Sequence, residues 1–281
     1  MARKSRNETK IQVINIKLLS NSRSGSEAYT ELFRVLYGDK IHSKVFGDKH
    51  FILRTQFQYD ANGSFVLSGK LTSFSILDTR HWLDFKDMDV VEYEIPKDHF
   101  PNLKETTYYF IPDAHRFCFE PMSGFSIKKV TAFLQESLRA TISSEEQIET
   151  DIEISIDAIE EIIKAKSIQK IEISISYTNQ DVNEDAAEYM DRELKKMQAR
   201  KIDMTILPDQ HDTLSTQSKM LAGSIGLAKS NGVVKATIID EFDRTKIIET
   251  SDYPRTINVQ FEDEDQKPKS VFNKIMSIFR P

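Results

Sequence analysis

Two alternating runs, HFILRTQFQY (50–59) and SFVLSGKLTSFSIL (64–77), flank Ala61, Asn62 and Gly63. Asn-Gly tolerates the positive φ angles of a tight turn whose twist matches that of paired strands, so this arrangement predicts an antiparallel hairpin. Further short strands surround it: IQVINIKL (11–18), DVVEYEI (89–95), TTYYFI (106–111) and HRFCFE (115–120), with Pro96, Pro101 and Pro112 as breaks. Alternation in the first of these puts Ile11, Val13, Asn15 and Lys17 on one side and Ile14, Ile16 and Leu18 on the other. Two helices belong to the same block. SEAYTELFRVLYG (26–38) spaces Ala28, Leu32, Val35 and Leu36 on one face and ends on Gly38, and SIKKVTAFLQESLRA (126–140) closes the block.

The rhythm changes near residue 146. The string IEISI occurs at 152–156 and 171–175 around a short helix, which predicts either a tight βαβ unit or strands that pair elsewhere. In DVNEDAAEYMDRELKKMQARK (181–201), Asp181 and Glu184 have capping-box spacing, and Ala187, Met190, Leu194 and Met197 form a helical stripe. IDMTIL (202–207) is a strand, and TLSTQSKMLAGSIGLAKS (213–230) a helix stopped at Asn231 and Gly232. VVKATIID, RTKIIET and RTINVQF complete the sheet. The predicted class is therefore α+β, with a strand-rich N-terminal half and a second α+β sheet layer. The expected division is a flexible basic tail at 1–10, domains at 11–145 and 146–262, and an acidic linker with a short amphipathic tail at 263–281.

Composition narrows function. A single cysteine excludes an intrachain disulfide framework and suits a reducing compartment. A net charge of −6 means that nucleic acid can be held only by a local basic patch. MARKSRNETK runs into an apolar stretch too short and too polar for a signal peptide or a membrane span, so the expected location is cytoplasmic, without membrane insertion.

Four stretches carry residues that could do chemistry. In IPDAHRFCFEP (111–121), an extended backbone sends His115 and Cys118 to opposite faces, which removes a local Cys–His pair and leaves Cys118 as a small apolar residue. GSIGLAKS (223–230) resembles a phosphate-cradling loop, but Ala228 stands where the second glycine is needed and the run sits inside a helical pattern. It is expected to be a thin helix face packed close to the sheet. LDTRHWLDFK (77–86) supplies Asp78, Asp84 and Lys86, the outline of a metal-dependent nuclease site. PDQHD (208–212) offers Asp209, His211 and Asp212 as donors, more in keeping with a helix start than with a metal. No metal or cofactor is expected. Basic residues gather in the tail (Arg3, Lys4, Arg6), at Lys195, Lys196, Arg200 and Lys201, and at Lys40, Lys44, Lys49 and Arg54. The last set is interleaved with Phe46, His50 and Phe51, a composition that suits phosphate contacts with base stacking.

INIKLL, YTELFRVLYG, LSGKLTSFSILDTRHWLDF, YEIPKDHFPNLKETTYYFIPDAHRFCFE and SIKKVTAFLQESL occur in an order that resembles an uncharacterised bacterial domain-of-unknown-function family associated with anti-phage gene neighbourhoods. The resemblance covers about 120 N-terminal residues. The layout is also similar to DNA-binding phage-exclusion proteins, although no motif aligns residue by residue. It implies a component of a prokaryotic antiviral module that binds or senses nucleic acid, or a phage component, without a recognisable catalytic centre. The alternatives are a scaffold subunit for a co-encoded effector or a homo-oligomer, and then a metal-dependent nuclease. The partners expected are DNA or RNA, a co-encoded defence protein, or a second copy of the chain.

Overall fold

The structure, a computed structural model, describes residues 7–61, 64–176, 185–210 and 212–279. Its first block runs β1 (Asn7–Leu19), α1 (Gly25–Gly38), β2 (His42–Phe46), β3 (Lys49–Leu53), β4 (Phe57–Ala61), β5 (Ser64–Ser75), β6 (Trp82–Asp84), β7 (Asp89–Val91), β8 (Lys104–Ile111), β9 (Arg116–Phe119) and α2 (Ile127–Arg139). Then follow β10 (Gln147–Ile152), α3 (Ile156–Ile163), β11 (Ser167–Ser176), α4 (Asp185–Lys196), β12 (Lys201–Ile206), α5 (Lys219–Asn231), β13 (Gly232–Ile239), β14 (Thr245–Glu249), β15 (Thr256–Phe261) and α6 (Lys267–Ile278). The class is α+β.

β1 organises the larger sheet. Its alternation buries Ile14, Ile16 and Leu18 under α1 and α2, where Leu32, Phe33, Leu36, Val130, Phe133 and Leu134 complete the core. β1 pairs antiparallel with β9 on one side, and with β10 and β15 placed end to end on the other. Among the described residues this gives a nine-stranded antiparallel sheet, ordered β10-β1-β9-β8-β5-β3-β2, with β15 on β1 and β4 on β5. On its opposite face Ile11, Val13, Tyr109, Ile111 and Cys118 meet Val271, Phe272 and Ile275 of α6. Lys267 Nζ ties the start of α6 to Glu120, 2.6 Å away.

A second, four-stranded sheet, β12-β11-β13-β14, packs with α4 and α5 around Ile171, Ile173, Ile175, Leu194, Ile225 and Val234. It is built from the stretch of chain between β10 and β15, and both of those strands join the larger sheet.

Several sequence expectations are corrected here. The strand expected from residue 11 begins at Asn7, because Asn7 to Gln12 pair with β15, so residues 7–10 are strand rather than tail. The boundary expected at 146 is crossed by the larger sheet through β10, and RTINVQF completes that sheet instead of the second. The short amphipathic tail forms most of α6, whose Val271, Phe272 and Ile275 seal the larger sheet.

The first hairpin run is two strands, not one. β3 and β4 both pair with β5, and the chain breaks between them at 54–56, where Thr55 O would lie 1.9 Å from a Cβ at residue 69. Only Gly69 permits that approach. Asn62 and Gly63 themselves lie outside the described residues, although Ala61 pairs with Ser64 on either side of them. The two IEISI strings take different structures: the first spans the end of β10 and the start of α3, and the second is interior to β11 in the other sheet. Asp181, Glu184 and the tail cluster Arg3, Lys4 and Arg6 lie outside the described residues.

Candidate functional site

His115 is not extended. It adopts a left-handed conformation (φ 55°) after the turn Pro112–Ala114, and its ring stacks on Tyr29 with centroids 4.1 Å apart. Cys118 points to the other face of the sheet, fully buried, and loss of solvent pushes its thiol far above the usual range. A thiol held in that state is a poor nucleophile. GSIGLAKS lies within α5, as its helical pattern indicated; α5 packs on the second sheet, and at Gly223 the close approach is to α4. A Cβ at Gly223 would stand 2.1 Å from Ala186 O of α4.

The nuclease candidates sit on the arm around β6 and β7, and both carboxylates are engaged locally. Asp78 takes Nε and Nη2 of Arg80 at 3.0 Å, a pairing that holds its carboxyl down at about 2. Asp84 accepts the backbone N–H of Lys86 at 2.8 Å. In PDQHD, Asp209 accepts the N–H of Gln210 and Asp212 that of Thr213, at 2.7 and 2.8 Å, while His211 lies outside the described residues. Among the described residues no three His, Cys, Asp or Glu side chains are placed to share a metal ion.

The basic set divides into two kinds. Arg54 forms a two-pronged pair with Glu105, which raises the guanidinium and lowers the carboxyl, and Lys49 Nζ donates to Ser75 Oγ at 2.6 Å. Lys40 and Lys44 are exposed and have no carboxylate within ion-pair distance among the described residues. Lys44 lies on β2, the edge strand, across from His50. Alternation exposes His42 beside it, and Nδ1 of His42 is 3.1 Å from Nδ1 of His50. Burial, then the neighbouring His42, lower the pKa of His50. Phe46 ends the strand 69% exposed, with Lys129 Nζ 5.2 Å from its ring centre. Lys129 joins this edge from α2, which nothing in local spacing could show.

A second polar site lies between the two sheets. The register sets Asn15 opposite Arg116 on β9 and Asp151 on β10, and Lys17 opposite Glu149. Arg116 Nη1 donates to Asn15 Oδ1 at 2.7 Å and to Ala114 O at 2.9 Å, and its Nε lies 2.9 Å from Glu153 Oε1. Asn15 Nδ2 reaches across to Ser230 O and Asn231 Oδ1 at 3.0 and 3.2 Å. Lys17 Nζ donates to Ser176 Oγ at 2.8 Å, and burial lowers its pKa. Asp151 Oδ2 is buried with no hydrogen-bond partner, and desolvation, partly offset by Lys17, pushes its carboxyl up to about 6. It lines a cavity of about 280 Å³ that also meets Arg139, Arg200 and Lys201. The alternation of IQVINIKL already set Asn15 and Lys17 on one strand face; their carboxylate neighbours come from β10, more than 130 positions later in the chain.

The chain matches the model of a family described as Domain of unknown function (DUF4747) over residues 7–277. It belongs to that family. The match runs through both sheets, so the relationship is not confined to the N-terminal 120 residues whose segments carry the resemblance. No curated protein matches the chain. No helix among the described residues is long and apolar enough to cross a membrane.

Proposed function

We propose that this protein binds nucleic acid at the β2 edge as a component of a prokaryotic antiviral module. The resemblance of the N-terminal segments supports the antiviral setting. The observation that carries the binding is the edge itself, where Lys40 and Lys44 lack carboxylate partners beside the exposed His42 and Phe46. Cations free of internal partners can release counterions from a phosphate backbone, and exposed rings can stack on bases. Lys49 and Arg54, proposed with them from sequence, are tied to Ser75 and Glu105 and contribute less.

Anisotropy titrations of single-stranded DNA and RNA against salt test this. The Lys40→Ala/Lys44→Ala variant should lower the slope of log K against log salt by about 1.5, from the loss of two phosphate contacts. Lys49→Ala should change it little. Absence of binding at low salt, or an unchanged slope in the double variant, refutes the proposal.

The scaffold alternative rests on a different feature. On the β6–β7 arm Leu83, Phe85, Met88 and Val90 are 53, 83, 66 and 69% exposed, a run of apolar surface that a protein partner would cover. If nucleic acid fails to bind while Phe85→Asp abolishes biological activity, the scaffold role is the one supported.

A further inference from the structure

The arm around β6 and β7 is a ribbon on its own. Its two strands pair only with each other, in the register Trp82–Val91, Leu83–Val90 and Asp84–Asp89. Alternation divides their side chains between two faces. One face is closed locally, where the rings of Trp82 and Tyr93 lie 5.1 Å apart. The other carries Leu83 and Val90, continued toward the turn by Phe85 and Met88, and all four are more than half exposed. The chain's own surface therefore does not cover this face. A two-stranded ribbon is marginal in water unless one face is packed, so the arm calls for a cover from outside the chain.

Charge decides what kind of cover fits. Residues 84–94 hold five carboxylates and one lysine. Asp87, Asp89, Glu92 and Glu94 are exposed and make no ion pair among the described residues. Asp84 and Asp89 stand directly opposite each other, a like-charge pair that a nearby cation relieves. The complement of this surface is apolar and basic, and the β2 edge of the same chain has that composition. Phe46 is exposed there, and Lys40, Lys44 and Lys129 make no ion pair among the described residues. The edge also lies beside the root of the arm. Ile76 N–H donates at 2.9 Å to Asp48 O, in the turn between β2 and β3, and Phe100 at the other end of the arm packs on Phe74 of β5. Two neighbouring patches of opposite character suit a two-fold axis, which sets each against its counterpart on a second copy.

We propose that two copies of the chain form a dimer in which the β6–β7 arm of each covers the β2 edge of the other. The apolar face of the arm meets the ring of Phe46, and the carboxylates of residues 84–94 face Lys40, Lys44 and Lys129. This assembly does not rest on nucleic-acid binding. Because both occupants use the same lysines, the arm and a nucleic acid exclude each other at the β2 edge.

Sedimentation velocity of the full chain, free of nucleic acid, tests the proposal from micromolar to submillimolar concentration. The chain should dimerise at low salt and dissociate as salt rises, because exposed charges are screened. Phe85→Asp/Met88→Asp and, separately, Lys40→Glu/Lys44→Glu should each raise the dimer dissociation constant at least tenfold. A charge exchange identifies the two surfaces. Lys40→Glu/Lys44→Glu makes edge and arm both acidic, and Asp87→Lys/Asp89→Lys/Glu92→Lys makes both basic. Each variant should be monomeric alone, and the two mixed should form a dimer, since every arm then meets an edge of opposite sign. All the replaced side chains are exposed, so the fold does not depend on them. With no nucleic acid present, the result stands apart from the reading of the β2 edge as a binding site. A chain that stays monomeric throughout, a dimer that Lys40→Glu/Lys44→Glu leaves unchanged, or a mixture of the two charge variants that fails to associate overturns the proposal.

Discussion

Asp151→Asn should stabilise the protein at neutral pH and not in acid. Burial raises the Asp151 carboxyl from 3.8 in the free residue to about 6 in the folded chain. Between these two values the folded state holds more protons than the unfolded state, so stability falls as pH rises through this window. Above it the full cost is present. A shift of roughly two units at about 1.4 kcal/mol each gives up to about 3 kcal/mol at pH 7.5. Asn is close to the neutral acid in shape and carries no charge to desolvate, so the variant recovers most of that difference. Urea denaturation of both proteins at pH 7.5 and pH 4 measures it. The expected result is a variant more stable by about 2–3 kcal/mol at pH 7.5, converging with wild type at pH 4. A variant less stable at pH 7.5 would refute the reasoning, because it would show that Asp151 is needed as the counter-charge of buried Lys17.

Gly223→Ala should destabilise the fold by about 2 kcal/mol or more, since its Cβ would lie 2.1 Å from Ala186 O and 2.8 Å from Met190 Cγ, forcing α4 and α5 apart; the urea midpoint reads this directly. Cys118 should resist a thiol reagent in the native protein and react only on unfolding. Cys118→Ala should cost about 1 kcal/mol without loss of activity, because the side chain acts as a small buried apolar group.

The periodicity of individual segments was legible, because side-chain alternation and helical spacing depend on neighbours within a few residues. IQVINIKL divided its residues between two faces as the structure does, with Ile14, Ile16 and Leu18 toward α1 and α2 and Ile11 and Val13 toward α6. The helix closing the first block was placed to within a residue at each end. The phosphate-loop decoy also yielded to local pattern, since a helix interior has no free amides to cradle a phosphate. Strand partnership was not legible. RTINVQF has the same alternation whether it joins β14 or β1, and only the apolar face of α6 and the length of β1 decide that it completes the larger sheet. The two identical IEISI strings make the same point, because one spans a strand end and a helix start while the other lies wholly inside a strand. The candidate sites divide in the same way. Lys40 and Lys44 could be read from their spacing, but the engagement of Arg54 by Glu105 requires β3 and β8 to lie against β5. Asn15 and Lys17 showed as polar positions on one face of a strand. That they meet Arg116, Asp151 and Glu153 at the junction of two sheets follows only from long-range pairing, in which the sheet register and not the local sequence sets which charges become neighbours.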